Sequence, residues 1–407
     1  MNLSTKVIVI GGGPAGYEAA LGLGRRGVET VLIEKTAMGG TCVNCGCIPT
    51  RVYLQAIKSA DNLYRSGFGQ TKLPPQALRR PAAAKIEQLA YGMAYMLQKR
   101  KVQMIEGTVS RVETGKVTLE DGTSLDCDEI VIASGSEAAR AETFTAKQHF
   151  TAEQLLTLEN LPEQLDIIGG GVLGVELAVI LQYLGVQITL HESMSRILPK
   201  WDRDVSAAMT AYLKGLGIQI ETEARSGALE NMVFCCGRKP RLPEIKGTLH
   251  KIHLIGDCKG APFTADIAAE DGRRIASLLT GGGTENEVNR TAAPGAVTAQ
   301  CIFTPLEAAA AGSLCKEGMV ESSLSTDMMA GGVLFGTQGA FVKAVMEQET
   351  HILRGFHVVS HLASEVIQMG QMAIAAEMTA EQFLMTVFPH PTEGELLKEA
   401  VRGLLCD

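Results

Sequence analysis

The chain has 407 residues, 46% hydrophobic and 20% charged, with a formal net charge of −8. That is the composition of a globular protein with room for about two to four domains. Its acidic balance argues against nucleic acid or an anionic membrane as the main partner, and no apolar run reaches the ~18–20 residues of a transmembrane helix.

In chain order, the first apolar run spans Lys6 to Ile10, so near Met1 that no signal or transit peptide is expected. Gly11-Gly12-Gly13-Pro14-Ala15-Gly16 follows at once, and a second apolar run, Thr30 to Ile33, is closed by Glu34. Strand, glycine turn, helix, strand, acid is the order of a Rossmann unit. The glycines let the backbone approach a pyrophosphate at a helix N-terminus, and the acid accepts a ribose hydroxyl. Next comes Gly39-Gly40-Thr41-Cys42-Val43-Asn44-Cys45-Gly46-Cys47-Ile48-Pro49, which sets redox-active thiols beside whatever nucleotide the fingerprint holds. Pro81 to Lys101 reads as a long helix, with Ala84, Ile86, Leu89, Met93, Met96 and Leu97 near helical spacing.

The fingerprint then recurs. Leu165 to Ile168 lead into Gly169-Gly170-Gly171-Val172-Leu173-Gly174, and the strand Gln187 to His191 ends at Glu192, which follows Gly174 at the spacing of Glu34 from Gly16. Two dinucleotides and a thiol pair imply an electron relay, with one nucleotide bound as a flavin and the other visiting as a nicotinamide. Glu192 favours NAD, since a carboxylate repels a 2′-phosphate. A strand from Gly217 to Glu221 comes next, and Ala268 to Leu279 reads as a helix. Thr280-Gly281-Gly282-Gly283-Thr284 reads as a hinge. Beyond it, strands are expected over Val297–Phe303, Ala340–Met346 and His351–Val359, then helices over Ala363–Met378, Ala380–Val387 and Gly394–Leu405. Ten cysteines, mostly scattered singly, fit a reducing compartment, with cytoplasm as the expected location.

These motifs resemble the flavin-dependent pyridine nucleotide-disulfide oxidoreductases, and within them the dihydrolipoamide dehydrogenases. Ala133-Ser134-Gly135-Ser136, Gly237-Arg238-Lys239-Pro240, Ile255-Gly256-Asp257 and His390-Pro391-Thr392-Glu393-Gly394-Glu395 extend the resemblance, in order, over nearly the whole chain. It implies an α/β fold with two Rossmann-like dinucleotide-binding domains, for FAD and NAD, plus a C-terminal α+β dimerisation domain. The expected boundaries are 1–142 for the first part of the FAD domain, 143–245 for a shortened NAD domain, 246–290 for the return to the FAD domain and 291–407 for the interface domain. The NAD domain departs from the family, which inserts a three-stranded antiparallel meander where only Thr222 to Asn231 stand here. The connection from Pro240 to His253 is short as well.

The resemblance assigns Cys42 and Cys47 as the redox disulfide, Cys42 exchanging with substrate and Cys47 facing the flavin. A helix N-terminus there favours thiolate, and the turn must be distorted to bring the two together. His390 and Glu395 become the acid–base pair, although Thr392 to Glu395 also fits a helix capping box, a role competing for Glu395. FAD contacts fall on Gly11, Gly13, Pro14, Ala15, Gly16, Glu34, Lys35, Gly40, Thr41, Arg51, Gly107, Ser134, Gly135, Asp257 and Ala265. NAD contacts fall on Gly169, Gly171, Val172, Leu173, Gly174, Glu176, Glu192 and Gly237. Glu176 is expected to approach the flavin ring paired with Arg51, which replaces the family's lysine, and Arg196 is read as structural.

Cys45 stands where the family has a small apolar residue. It reads as a bystander, with disulfide shuffling or a thiol metal site as the alternatives. The implied activity is oxidation of dihydrolipoamide by NAD. The alternatives are a disulfide or metal reductase of the glutathione or mercuric type, or a flavin-loaded scaffold with weakened NAD binding. The implied partners are a second copy, whose cis His390–Pro391 loop reaches the first copy's disulfide to form shared active sites, and a lipoylated protein of a 2-oxo-acid dehydrogenase or glycine-cleavage complex. No metal is assigned.

Overall fold

The computed structural model describes residues 6–69, 73–282, 297–326 and 339–406. From the N-terminus run β1 (Lys6–Ile10), α1 (Pro14–Arg25), β2 (Glu29–Glu34), α2 (Gly40–Asn44), α3 (Cys47–Leu63) and α4 (Pro75–Lys99). Six short strands follow: β3 (Gln103–Glu106), β4 (Val109–Glu113), β5 (Lys116–Leu119), β6 (Ser124–Asp126), β7 (Glu129–Ile132) and β8 (Ser136–Ala138). Next come β9 (Phe144–Phe150), α5 (Ala152–Leu155), β10 (Gln164–Ile168), α6 (Val172–Tyr183), β11 (Gln187–His191), α7 (Arg203–Gly215), β12 (Gln219–Glu221) and β13 (Gly227–Phe234). The chain continues through β14 (Arg238–Pro240), β15 (Glu244–Lys246), β16 (Ile252–Leu254) and α8 (Ala265–Leu278). The last stretch holds β17 (Ala299–Ile302), β18 (Glu307–Gly312), β19 (Met319–Ser325), β20 (Phe341–Glu347), β21 (Leu353–Ser360), α9 (Ala363–Ala375), α10 (Ala380–Leu384) and α11 (Gly394–Gly403). Among the described residues no helix is long and apolar enough to cross a membrane.

Two compact units result: Met1–Val52 with Gln76–Ala139 and Gly237–Ala293, and Tyr53–Pro75 with Arg140–Cys236 and Pro294–Asp407. In the first, a five-stranded parallel sheet has the order β16-β7-β1-β2-β3. β1 is central because it is apolar on both faces. Val7 and Val9 pack with Ala19, Leu23 and Ile275 of α1 and α8, while Ile8 and Ile10 pack with Val112, Val117 and Leu119 of the antiparallel strands β4 and β5. Burying each of these aliphatic side chains stabilises the fold by about 1.5–3 kcal/mol. α1 and α8 approach so closely that a Cβ on Gly272 would stand 2.2 Å from the Ala15 carbonyl oxygen.

The return to this unit comes at Gly237 rather than at 246. The cause is strand pairing: β14 pairs antiparallel with β8, and β15 lies parallel to β4. α4 also starts earlier than expected, with Pro81 inside it, because buried Leu78 and Ala82 carry its apolar face across the proline.

In the second unit the parallel sheet runs β12-β11-β10-β13-β9, and a C-terminal antiparallel sheet runs β17-β18-β21-β20-β19. No strand intervenes between β12 and β13, so the first of these sheets stands as a parallel core with no antiparallel insertion. The C-terminal sheet packs on α9, α10 and α11 around Phe356, Ile367, Phe383, Leu397 and Val401. β18 and β19 were not expected from sequence. The Glu307–Gly312 stretch is a run of alanines, good helix formers, that becomes a strand by pairing with β17 and β21. Lys343 of β20, only 4% exposed, holds Asp202 (3.0 Å), Asp204 (2.7 Å) and Glu321 (3.4 Å). The second half of α3 belongs here too: the Tyr53 hydroxyl donates to the Leu156 carbonyl at 2.8 Å, and Lys58 meets Glu307 at 2.7 Å. The hinge expected at Thr280 to Thr284 lies partly outside the described residues.

Candidate active site

The first fingerprint occupies the switch point of its sheet, between β1 and β7, where the C-terminal strand ends leave a crevice. Gly11 (φ 102°) must be glycine, since a Cβ would stand 2.4 Å from the Ala133 carbonyl oxygen at the end of β7. One on Gly16 would stand 1.8 Å from the Gly11 carbonyl oxygen. Gly13 is the N-cap of α1, which no side chain caps, with Pro14 and Ala15 beginning the helix. Its first-turn N–H groups and macrodipole suit a pyrophosphate. Glu34 accepts the Gly12 N–H at 2.6 Å and the Thr36 N–H at 3.1 Å, and Gly107 donates to the Glu34 carbonyl at 2.9 Å. The Ser134 hydroxyl donates to the Arg241 carbonyl at 2.5 Å, and Gly135 adopts φ 77°. Lys35 and Thr41 are exposed, and Ala265 is the first residue of α8.

The cysteine segment lies directly on this turn. The Gly39 N–H donates to the Gly12 carbonyl at 2.8 Å, and a Cβ on Gly40 would stand 2.7 Å from Gly13 Cα. α2 then carries Cys42, the chain breaks at Cys45 and Gly46, and Cys47 opens α3. That break brings Cys42 and Cys47 together, the Cys42 thiol donating to Cys47. This hydrogen bond, aided by burial, pushes the Cys42 thiol well up, with the Arg51 charge pulling the other way. The hydrogen bond to Cys47 and burial thus oppose, at Cys42, the thiolate that a helix N-terminus favours. Among the described residues no three His, Cys, Asp or Glu side chains are placed to hold a metal ion, these cysteines included.

The second fingerprint repeats the first almost atom for atom. A Cβ on Gly169 would stand 2.5 Å from the Cys235 carbonyl oxygen, and one on Gly174 would stand 1.9 Å from the Gly169 carbonyl oxygen. Gly171 is the uncapped N-cap of α6, which Val172 and the exposed Leu173 open. Buried Glu192 accepts the Gly170 and Met194 N–H groups, both at 2.9 Å, as Glu34 does on its own side. The Arg196 guanidinium is committed to the carbonyls of Leu198, Pro199 and Trp201. Glu176 accepts the Phe303 N–H at 2.9 Å. Gly237, expected among the NAD contacts, immediately precedes β14, and its carbonyl accepts the Ala139 N–H at 2.9 Å.

Near the C-terminus, His390 Nδ1 lies 3.1 Å from Glu395 Oε1, while Glu395 Oε2 accepts the Thr392 N–H at 2.9 Å. The two roles that competed for Glu395 are thus divided between its oxygens. The Thr392 hydroxyl donates to the Pro389 carbonyl, so half of the capping box forms. The Thr392 N–H, and then His390, hold the Glu395 carboxyl below its ordinary range. His390 is 70% exposed, and its peptide bond to Pro391 is cis.

Sequence reading missed the support around Asp257. The Ser136 hydroxyl donates to Asp257 Oδ2 at 2.6 Å, and Arg238 Nε donates to Ser136 Oγ at 2.7 Å. Asp271, fully buried, holds the preceding Gly256 N–H at 3.0 Å and Lys259 at 2.7 Å. The acid in Glu270-Asp271-Gly272, nearly two turns into an otherwise apolar helix face, was the available signal.

Comparison with known proteins agrees with this geometry. The family described as pyridine nucleotide-disulphide oxidoreductase matches residues 5–233, and its dimerisation domain matches residues 298–401. A dihydrolipoyl dehydrogenase from Pseudomonas aeruginosa is 28% identical, over 98% of this chain and 97% of its own. One from Chlorobaculum parvum is 30% identical at the same coverage. Among solved structures, the HOCl-induced flavoprotein disulfide reductase RclA from Escherichia coli superposes with TM-score 0.87 at 19% identity, covering 98% of this chain and 99% of its own. LpdA from Mycobacterium tuberculosis gives 0.85 at 22%, with the same coverage. At such identities these two show the fold.

Proposed function

Because this chain belongs to the pyridine nucleotide-disulphide oxidoreductase family, we propose that it oxidises dihydrolipoamide to lipoamide with NAD as the acceptor. It is an FAD-dependent oxidoreductase acting on disulfides, and its two nucleotides are FAD and NAD. The observation that carries the reading is the seating of Gly39 and Gly40 on Gly12 and Gly13, which sets the Cys42 turn against the flavin-side nucleotide turn. The names of the curated relatives and the His390–Glu395 hydrogen bond support the dithiol substrate.

In this reading the active sites are shared in a homodimer, the second unit carrying a dimerisation domain. His390 of the partner subunit, with Glu395 fixing its Nδ1–H, accepts a dihydrolipoamide thiol proton at Nε2. The thiolate attacks Cys42 Sγ, the Cys42–Cys47 bond breaks, and Cys47 leaves as thiolate. The second substrate thiol then displaces Cys42, closing the lipoamide ring. Cys42 takes up the proton, which leaves a Cys42 thiol beside the Cys47 thiolate. When bound, FAD supplies the electron transfer that restores the disulfide and reduces NAD. Gly11, Gly13, Glu34, Ser134 and Asp257 would hold FAD, and Gly169, Gly171 and Glu192 would hold NAD. Glu192 favours NAD in either direction of flow. A lipoylated protein of a multienzyme complex is the proposed partner.

Anaerobic addition of dihydrolipoamide to the purified yellow protein should develop a long-wavelength thiolate-to-flavin absorption, and NAD should then abolish it. Reduction by NADPH but not by dihydrolipoamide would refute the substrate assignment.

A further inference from the structure

The redox turn contains a thiol for which the reaction has no use. The Cys45 N–H donates to the Thr41 carbonyl at 3.0 Å, so Cys45 keeps α-helical register one turn beyond Cys42. Its own φ of −148° then breaks the helix, and Cys47 starts the next one. Residues three apart in an α-helix have Cα atoms about 5 Å apart. That lies inside the range of about 4.4–6.8 Å that a disulfide bridges. The Cα separation therefore permits a bridge from Cys42 to Cys45 once the Cβ atoms, about 5–6 Å apart on a regular helix, close by about an ångström at the broken turn, and Cys42 meets Cys47 across that break. Both partners belong to the same compact unit.

We propose that Cys45 is a third redox thiol, which exchanges with the Cys42–Cys47 disulfide to give an isomeric oxidised enzyme bridged between Cys42 and Cys45. This rests on the reading of Cys42 and Cys47 as the redox pair. The exchange balances without any outside reagent. The Cys45 thiol loses its proton to solvent and its thiolate attacks Cys42 Sγ; the bond from Cys42 to Cys47 breaks, and the electron pair leaves on Cys47. One disulfide replaces another, so the oxidation level is unchanged.

The isomer has a distinct chemistry. Cys47 is a thiolate although no reductant has been added. A substrate thiolate attacking Cys42 now expels Cys45, so the electron pair lands on a thiol that is not the flavin-side partner. The isomer must revert by attack of Cys47 on Cys42 before the pair can be delivered. Cys45 thus sets aside a fraction of the oxidised enzyme in a slow form.

Three readouts on the FAD-loaded protein test this. Peptide mapping of the oxidised wild type, after alkylation of free thiols, should recover a Cys42–Cys45 bridge beside Cys42–Cys47. The oxidised wild type should show long-wavelength absorption that Cys45→Ser and Cys45→Ala both abolish, while their two-electron-reduced forms keep it. Rapid mixing with limiting dihydrolipoamide should give two phases of flavin reduction in the wild type and one in either variant. Complete alkylation of Cys45 in the oxidised wild type, with spectra and kinetics matching the variants, would overturn the proposal and leave the redox pair intact. Failure to find any Cys42–Cys47 bridge in Cys45→Ser would overturn the underlying reading.

Discussion

Replacing Glu395 by Gln should harm turnover more than replacing it by Ala, an order opposite to what size alone suggests. Glu395 accepts on both oxygens, from His390 at Oε1 and from the Thr392 N–H at Oε2. A glutamine keeps one acceptor and gains two donors. If its oxygen stays on the Thr392 N–H, its amide donates to His390 Nδ1. That fixes the tautomer with the proton on Nε2, which can then no longer act as a base. General-base loss is worth about 10²–10⁴ in rate, and Gln should lie at the upper end of that range. Alanine frees the imidazole to choose its tautomer and loses only orientation, a loss at the lower end, of about 10².

The assay is steady-state NAD reduction by dihydrolipoamide from pH 5 to 9, with flavin absorbance confirming equal FAD loading. Because the Thr392 N–H and His390 hold the Glu395 carboxyl below its ordinary range, the carboxylate and both hydrogen bonds persist as pH falls through that range. They are lost only below it, so the acid limb of the wild-type profile should not contain Glu395. An alanine variant slower than the glutamine variant would refute the tautomer argument.

Cys42→Ser should show long-wavelength flavin absorption without reductant, and FAD-replete protein lacking it would reverse the assignment of the two cysteines. Glu192→Ala should erase NAD-over-NADP preference, an effect of about 1–3 kcal/mol, or roughly tenfold or more, read from steady-state rates with each nucleotide. Mixed dimers of Cys42→Ser and His390→Gln should regain activity at one of their two sites, and no recovery after verified subunit exchange would exclude shared sites. Lys343→Met should cost about 3–5 kcal/mol in urea unfolding, discounted for the half-exposed Asp204 and Glu321, because buried Asp202 loses its cation.

What the sequence disclosed was whatever depends on local backbone geometry. Gly11, Gly16, Gly169 and Gly174 declare themselves because a Cβ there collides with a carbonyl only a few residues away or across one strand. The break between Cys42 and Cys47 was legible for the same reason: an unbroken helix cannot join them. Less legible was whatever depends on partners distant in sequence. β14 was not legible, because nothing in Arg238-Lys239-Pro240 announces its pairing with Ser136–Ala138. β18 was missed because its alanines favour helix until β17 and β21 pair with them. The carboxylate of Glu395 was given one role or the other, since a sequence does not show that two oxygens face two donors.

The absence of a meander from the nicotinamide fold has its own physical answer in the strands that remain. The two parallel sheets align through their fingerprints, Gly11 on Gly169. In the first unit the sheet face under the antiparallel strands is made of Ile8, Val31 and Ile33, buried against Val112, Val117 and Leu119. The aligned positions in the second unit are Asp166, Thr189 and His191. His191 lies 2.8 Å from Asp166 and 3.1 Å from Glu221 across three neighbouring strands. An aliphatic face left uncovered would expose a contiguous apolar patch and invite association. A ladder of acid, imidazole and acid satisfies its own polar groups, and Phe144, whose ring lies 5.8 Å from that of His191, covers it together with buried Ile168 and Met232. The glycines, Glu192 and the head of α6 lie at the strand ends, away from that face. In place of a meander, that face is closed by the polar ladder together with the small apolar cluster of Phe144, Ile168 and Met232, and neither reaches the nucleotide turn at the strand ends.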